Sequence, residues 1–181
     1  MLRYLLARYI TRFERQFRYD ASYLREVLEV SPAAVLQFGF VGALGHRRDA
    51  PPEAVAAAGI VGTLQEDCGP CTQIGVDIAG KSGVSAEELR AIVVGDEAAM
   101  SETARLAYRF ARASLAHSPD ADPLREEIVR RWGKPGLVAI AFALTTSRMY
   151  PTLKYALGHG KACSKVLVPG LEPIVLRALP A

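Results

Sequence analysis

The chain has 181 residues, of which 50% are hydrophobic and 23% are charged, and its formal net charge is +3. This composition predicts one soluble globular domain, residues 1–181, and excludes disordered, collagen-like and coiled-coil chains. A chain of this size buries roughly 70% of the surface that its unfolded form exposes, so it needs neither a disulfide nor a metal to hold a core. The 22 basic and 19 acidic side chains form a mixed surface, which does not indicate a nucleic-acid partner.

Export and membrane signals are not visible in the sequence. Five arginines interrupt the apolar residues of the first 20 positions, so the core of a signal peptide does not form. Charge-free stretches such as residues 136–147 fall short of the roughly 20 residues of a membrane-spanning helix. Three cysteines, an odd number, fit a reducing compartment better than a disulfide framework. We therefore expect a cytoplasmic protein without a membrane span.

The apolar residues of the chain recur at helical spacing, and alternating β-branched runs hardly occur, which predicts an all-α fold. The first segment places its apolar side chains on one face of a helix. These residues are Leu2, Leu5, Leu6, Tyr9, Ile10, Phe13 and Phe17. We expect such a face to pack on the body of the protein or on a second subunit. Because arginines flank it, a helix that lies on a membrane surface is the alternative interpretation.

Two further helices are predicted in an N-terminal region that we bound at residues 1–49. The first of them covers Ala21–Val30. The next begins at Ser31 and Pro32, which suit the cap and the first turn of a helix, and runs to about Gly45.

A helical core is predicted over residues 50–158. Its first helix is small and apolar enough from residue 54 to residue 64 to be buried on all sides. After a polar break, Pro70 fits the first turn of a helix that carries Cys71–Lys81. Ser85, followed by two glutamates, is the predicted cap of the next helix.

The second half of the core is predicted to contain three helices and to end in a tail. A long helix is expected over residues 96–115, and a short one over residues 123–132. Gly133 stops the short helix, and Pro135 opens a strongly apolar closing helix. The tail, residues 159–181, is expected to lie extended over a surface of the chain itself or of a partner.

The clearest chemical signal is the segment Glu66-Asp67-Cys68-Gly69-Pro70-Cys71, which puts two thiols at a predicted helix N-terminus. Unpaired N–H groups and the positive end of the helix dipole stabilise a thiolate, the form that attacks peroxides and disulfides. The C-x-x-C spacing lets the two sulfurs close into a reversible disulfide. We expect both sulfurs to be accessible.

Three interpretations of the cysteine pair are open at this point. The pair is a redox dithiol, a buried structural pair, or half of a zinc site that His159 and Cys163 complete. The same tetrapeptide is the active-site motif of thioredoxins, but that fold needs a βαβ setting, which is not predicted here.

The arrangement of helices around this motif is similar to that of the alkylhydroperoxidase D-like and carboxymuconolactone decarboxylase family. The matching features are an apolar helix, a short break, C-x-x-C at the start of the next helix, and the restart at residues 83–88. Residues 132–138, Tyr150 and residues 156–158 resemble the closing helix of that family. The similarity covers roughly residues 50–158, with extra N-terminal helices before it and the tail after it.

The resemblance implies an all-helical homo-oligomer without a cofactor. In members with both cysteines, the residue matching Cys71 attacks a peroxide, the residue matching Cys68 resolves the product to a disulfide, and a thiol partner reduces it. Members of the decarboxylase branch generally lack this pair. The implied partners are a small peroxide or disulfide substrate and a thiol reductant. A thioredoxin-like use of the motif would instead make the first cysteine the attacking one.

The chain departs from the family at the proton relay. The relay histidine and glutamate fall on Gly75 and Ala56, so thiolate formation would rest on the helix terminus. Ionised Glu66 and Asp67 would raise the pKa of the thiol through repulsion of like charges. The loss of the relay is therefore expected to weaken the activity. The alternative functions are a non-catalytic helical oligomeric assembly protein or a zinc-bound Cys/His site.

Five other side chains are candidates at or near the site. Glu66 is a substitute base that acts through a water molecule, or a solvated surface acid. Asp67 is expected to cap the helix. His159, which follows the closing helix, is a candidate for the missing imidazole. Gln73 and Asp77 are either lining residues of the site or ordinary surface.

Overall fold

The computed structural model describes residues 1–43, 49–160 and 165–175. Within these ranges the chain forms eight helices and one short pair of strands. The helices are α1 (Leu2–Phe17), α2 (Ser22–Val30), α3 (Pro32–Ala43), α4 (Pro52–Gln65), α5 (Gly69–Lys81), α6 (Ala86–Val94), α7 (Glu102–Leu115) and α8 (Ala121–Ala156), and the strands are β1 (Lys165–Val166) and β2 (Ile174–Val175). The predicted all-α class is confirmed. None of the described helices combines the length and the apolar character that crossing a bilayer requires.

The central element of the larger hydrophobic core is α4, which contacts α5, α6, α7 and α8. Its side chains are mostly small, and Ala54, Ala57 and Ala58 have no exposed surface. Because small side chains let neighbouring helices approach closely, one short helix can pack against four others. The prediction that this helix lies inside the protein is confirmed.

Gly62 is a point of close approach between α4 and α8. A Cβ atom at this position would lie 2.9 Å from the carbonyl oxygen of Leu144, so Gly62→Ala is expected to destabilise the protein by about 1–3 kcal/mol through overpacking. Gly59 on the same helix is the control, because its Cβ would stand 3.9 Å from the carbonyl oxygen of Ala143. Thermal unfolding followed by circular dichroism measures both alanine variants. Equal loss of stability in the two would contradict this account of the contact.

The closing part of the core is one helical element with a break. Gly133 has φ 69° and ψ 179° inside α8, a conformation that glycine adopts more readily than other residues. Pro135 lies just beyond the break, where the missing N–H of proline costs no helical hydrogen bond. The predicted stop at Gly133 and the restart at Pro135 are thus confirmed, although the two segments follow each other directly.

The start of α7 differs from the prediction. The helix begins at Glu102 and not at Asp96, and residues 96–100 form turns. The Ser101 hydroxyl accepts a hydrogen bond from the Ala104 amide at 3.2 Å, and the Glu88 carboxylate accepts one from the Ser101 amide at 3.0 Å. These bonds satisfy donors at the helix start, so the cap fixes the boundary more strongly than the apolar periodicity does.

The N-terminal helices form a second, smaller hydrophobic cluster. Ile10, Tyr23 and Leu28 are buried in it, and Arg25 of α2 holds α1 through an ion pair with Glu14. The apolar face of α1 is only partly covered, since Leu2 and Tyr9 are 46% and 64% exposed. The neighbouring helices α2 and α3 cover mainly its second half, so packing on the body of the protein is seen for that half, and a second subunit or a membrane surface stays a prediction for the rest.

The described part of the tail folds back on the chain itself. Val166, Val168 and Ile174 are buried in the larger core, where β1 contacts α5 and β2 contacts α6. Val166 pairs with Ile174 in an antiparallel arrangement. The expected covering of a surface is confirmed for residues 165–175, whereas the short strand pair was not predicted. Residues 45 and 163, which the sequence analysis names, lie outside the described residues.

Candidate functional site

The two cysteines lie at the start of α5. The N-cap residue of this helix is Cys68, so Cys71 belongs to its first turn together with Pro70. The two Cα atoms are 5.3 Å apart and the sulfurs form a disulfide. The predicted C-x-x-C at a helix N-terminus is confirmed. The prediction that Asp67 caps the helix is wrong, because the helix begins one residue later and α5 has no side-chain cap.

The cysteine pair is covered by the N-terminal helices. Cys68 is 3% exposed and Cys71 is 7% exposed, and both pack in the smaller cluster with Ile10 and Tyr19. The expectation that both sulfurs are accessible from the surface is therefore wrong. The physical reason is that α1 and α2 bring bulky apolar side chains over the first turn of α5, which no local pattern around the motif predicts.

A cavity of about 420 Å³ separates the N-terminal helices from α4, α5 and α8, and Cys71 lines it while Cys68 does not. Its walls are mainly aliphatic and aromatic, and they include Ile10, Phe13, Phe38, Ile60 and Ile74. Among the described residues that line it, none carries a formal charge. A group that reaches Cys71 from this cavity therefore meets a largely apolar environment.

Tyrosine hydroxyls supply much of the polarity of this cavity. The Tyr19 hydroxyl lies 3.9 Å from the Cys71 sulfur, and the Tyr23 ring packs edge-to-face on the Tyr19 ring. Burial raises the pKa of Tyr19 and of Tyr23 above the usual value of a phenol, so both stay protonated at neutral pH. Tyr150 of α8 lines the same space. Sequence reasoning missed these residues, since no spacing relates them to the cysteines.

The two positions of the family relay also line this cavity. Both Gly75, one turn after Cys71 on α5, and Ala56 on α4 belong to its wall. A Cβ atom at Gly75 would meet Ile60 at 3.6 Å, an ordinary contact distance. The two positions that the resemblance assigns to a relay thus lie in the wall of the cavity that Cys71 also lines, and neither carries an imidazole or a carboxylate.

Glu66 is held by α8. Its carboxylate accepts a hydrogen bond from Arg148 at 2.6 Å and one from the Thr152 hydroxyl at 3.3 Å. Nearby, the Tyr155 hydroxyl donates to the carbonyl oxygen of Asp67 at 2.9 Å. These contacts join the end of α4 to α8 beside the cysteines. The role of Glu66 as a substitute base stays a prediction.

His159 connects the end of α8 to α2. Its Nδ1 lies 3.0 Å from the Ser22 hydroxyl, and its Nε2 lies 2.6 Å from a carboxylate oxygen of Glu26. Both ring nitrogens thus have partners in α2, while its role in proton transfer stays a prediction. In the described parts of the chain, no three His, Cys, Asp or Glu side chains are grouped so as to hold a metal ion.

Gln73 attaches the tail to α5. Its side-chain amide donates to the Leu167 carbonyl at 2.9 Å and accepts from the Leu167 amide at 2.6 Å, and it also donates to Asp77 at 2.8 Å. Gln73 therefore belongs to the contact with the tail and Asp77 supports it, a role that differs from both alternatives stated from the sequence, lining of the site and ordinary surface.

Replacing Gln73 by alanine is expected to loosen the tail. Loss of the two bonds to Leu167 lowers the local free energy of opening by about 1–2 kcal/mol, so amide exchange in residues 165–168 accelerates roughly tenfold. Hydrogen exchange followed by mass spectrometry measures this. Gln65→Ala, at the exposed end of α4, is the control. Unchanged exchange in the Gln73 variant would show that the strands hold the tail without it.

The structure thus brings Cys68, Cys71 and Tyr19 together, whereas the resolved contacts of Glu66 and His159 are with α8 and α2. Comparison of the chain with protein-family models, with curated proteins and with solved structures gave no match.

Proposed function

We propose that the chain uses Cys68 and Cys71 as a redox dithiol that reduces an uncharged, apolar hydroperoxide or disulfide. The observation that carries this proposal is the unequal placement of the two sulfurs. Cys71 lines the apolar cavity, and Cys68 lies behind it at the N-cap of α5. This division of positions agrees with the roles that the resemblance to the alkylhydroperoxidase D-like family implies.

The reaction has two chemical steps. The Cys71 thiolate attacks the terminal oxygen of the hydroperoxide, the O–O bond breaks, and the products are a Cys71 sulfenic acid and an alkoxide that takes up a proton. The Cys68 thiol then attacks the sulfenic sulfur, which releases water and forms the disulfide. A thiol reductant of a reducing cytoplasm returns both cysteines to thiols by exchange.

The walls of the cavity favour an uncharged substrate. Moving an ion from water into apolar surroundings costs several kcal/mol unless a partner compensates it, and the described lining residues carry no charge. The volume of about 420 Å³ lies in the range of sites for small organic molecules. A bulky organic hydroperoxide therefore gains contacts in this cavity that hydrogen peroxide does not.

Comparison of two oxidants tests the proposed function. The reduced protein, with dithiothreitol as the regenerating thiol, is expected to consume cumene hydroperoxide at least roughly tenfold faster than hydrogen peroxide, because apolar contacts of the larger substrate lower its barrier. A protein without the cysteine pair, in which Cys68→Ser and Cys71→Ser are combined, gives the background rate. If neither oxidant is consumed above that background, the rival assignment as a structural cysteine pair is correct.

The proposed assembly is a homo-oligomer, as the family resemblance implies. Large apolar side chains are exposed on α1 and α3, among them Leu5, Tyr9, Leu36 and Phe40. Burial of these side chains against a second copy would stabilise the assembly. Sedimentation velocity is expected to give a species larger than 19.6 kDa. A monomer that instead co-sediments with anionic vesicles would support the membrane-surface interpretation of α1.

A further inference from the structure

We propose that Tyr19 is the acid of this site, which stabilises the Cys71 thiolate through a donated hydrogen bond and then protonates the leaving alkoxide. The inference rests on the proposed function and assigns a residue that lies outside the stretch similar to the family. It would supply, from the N-terminal helices, a proton donor at a site whose two relay positions are Gly75 and Ala56.

The geometry gives Tyr19 access to the reacting atom. Its hydroxyl is 3.9 Å from the Cys71 sulfur. Because that sulfur carries no proton in the disulfide, the phenol is the donor in this contact. No other residue of the described chain has a resolved side-chain hydrogen bond to the Cys71 sulfur.

The position of the Tyr19 ring is fixed by its neighbours. The Tyr19 amide donates to the carbonyl oxygen of Glu14 at 3.0 Å, in the turn between α1 and α2. The ring packs edge-to-face against Phe13 and Tyr23, with centroid distances of 5.8 Å and 6.4 Å. A side chain that is ordered in this way can act as a hydrogen-bond donor without a large loss of conformational entropy.

A second tyrosine lies beside Tyr19. The Tyr23 ring packs edge-to-face on the Tyr19 ring, and both side chains line the cavity together with Tyr150 of α8. Tyr23 acts to lower the pKa of Tyr19 against the larger, opposite effect of burial, which makes Tyr19 a better proton donor. After Tyr19 gives its proton to the alkoxide, the phenolate takes up the proton that the Cys71 thiol loses once the disulfide has been reduced, so that each turnover restores a phenol beside a thiolate.

Charged groups around Tyr19 come from two elements. The ammonium group of the buried Lys154 on α8 lies 5.0 Å from the centroid of the Tyr19 ring. Asp20, the next residue in the chain, acts electrostatically on the Tyr19 hydroxyl in the opposite sense. Lys154 favours an anion in this region, and Asp20 disfavours it. Neither group differs between the wild-type chain and the variants compared below.

The test uses Cys68→Ser as the background, so that Cys71 cannot form the disulfide. Alkylation is read from the peptide that contains Cys71, so that Cys163, the other remaining cysteine of the chain, does not contribute. Alkylation of Cys71 by iodoacetamide is measured from about pH 5 to about pH 9.5, because the rate follows the thiolate fraction. Adding Tyr19→Phe is expected to slow alkylation about tenfold at pH 7. The rates of the two proteins are expected to converge at the alkaline end of the range, because the thiolate fraction of Cys71 rises with pH in both. Tyr4→Phe, an exposed tyrosine of α1, is the matched control and is expected to have no effect.

The peroxide reaction isolates the second part of the proposal. At the alkaline end, where alkylation rates are equal, the Tyr19→Phe protein is expected to react several-fold more slowly with cumene hydroperoxide. The reason is that the leaving alkoxide of the substrate has no tyrosine hydroxyl to protonate it. Equal peroxide rates there would overturn the role of Tyr19 as acid. Equal alkylation rates of the two proteins at pH 7, or slowing by the same factor at every pH, would overturn the proposed hydrogen bond from Tyr19 to the thiolate.

The outcomes for the inference and for the proposed function are separable. If the wild-type protein does not react with peroxide at all, the proposed function fails and Tyr19 has no substrate to protonate. The pH dependence of alkylation still tests whether Tyr19 donates a hydrogen bond to the Cys71 thiolate. If circular dichroism shows that Tyr19→Phe does not fold, Tyr23→Phe takes its place. Tyr23→Phe is expected to slow alkylation at pH 7 as well, by a smaller factor than Tyr19→Phe. An unchanged rate would overturn the proposal that Tyr23 makes Tyr19 a better donor.

Discussion

Replacing Cys71 by serine is expected to lower the rate of reaction with cumene hydroperoxide by more than about a hundredfold, to the background of the solution. Serine keeps the shape of the side chain but does not ionise near neutral pH, so the nucleophile is lost. The position of Cys71 in the wall of the cavity makes it the sulfur that the substrate meets. Stopped-flow measurement of peroxide consumption by the reduced variant gives the rate.

Cys68→Ser is the matched variant. It is expected to consume one equivalent of peroxide at nearly the wild-type rate and then to stop, with a sulfenic acid on Cys71 that a dimedone adduct reveals. The reason is that the first step needs only the sulfur in the cavity, whereas the second needs the neighbour at the N-cap. The reverse pattern, with Cys71→Ser active and Cys68→Ser inactive, would assign the attack to Cys68 as in thioredoxin-like use of the motif.

Restoring an imidazole at Gly75 is expected to raise the peroxide rate at neutral pH by about tenfold to a hundredfold, within the range of a positioned acid–base group. Residues 71 and 75 are one turn apart on α5 and both line the cavity, so the histidine of Gly75→His would lie beside the sulfur. A Cβ atom fits there, with Ile60 at 3.6 Å. The imidazole would stabilise the thiolate and increase its population.

Gly75→Ala is the control for this gain. It adds a Cβ atom without an imidazole, and it is expected to stabilise α5 by roughly 0.5–1 kcal/mol because alanine loses less backbone entropy than glycine in a helix. Its peroxide rate is expected to stay within about twofold of the wild-type rate. A Gly75→His protein that folds but is no faster than Gly75→Ala would show that the cavity does not place residue 75 in reach of the reacting groups.

Local sequence patterns were sufficient for several helices of the core, although not for the start of α7, and for the position of the cysteines at a helix start. Apolar composition predicts the buried α4, Ser85 predicts the start of α6, and Gly133 predicts the break in α8. Each of these signals acts within a few residues of its effect. The C-x-x-C motif with Pro70 belongs to the same class, and its prediction at a helix start is confirmed.

Contacts between distant segments could not be predicted from the sequence. Tyr19 and Cys71 are 52 positions apart, and nothing in the spacing of either residue indicates that α1 and α2 cover the start of α5. The same limit applies to Gln73 and Leu167, which are 94 positions apart. For this reason the covering of the sulfurs, the cavity beside Cys71 and the attachment of the tail were recognised only in the structure.

The N-terminal helices change what the cysteine pair can do. They remove Cys68 and Cys71 from the surface, and they add Ile10, Phe13 and Tyr19 to the wall of the cavity. Under the proposed function, an apolar cavity of this kind would favour substrates that leave water easily and would disfavour charged oxidants and reductants. The reducing thiol would then be small and uncharged, or would act while these helices open.

The reactivity of the sulfur in the cavity is tested most directly by one mass measurement. The fully reduced protein is treated briefly with one equivalent of cumene hydroperoxide, quenched with an alkylating agent and digested. We expect the peptide that contains Cys68 and Cys71 to lose two hydrogens and to escape alkylation. Recovery of that peptide with both thiols alkylated, from protein that is folded by circular dichroism, would contradict the account.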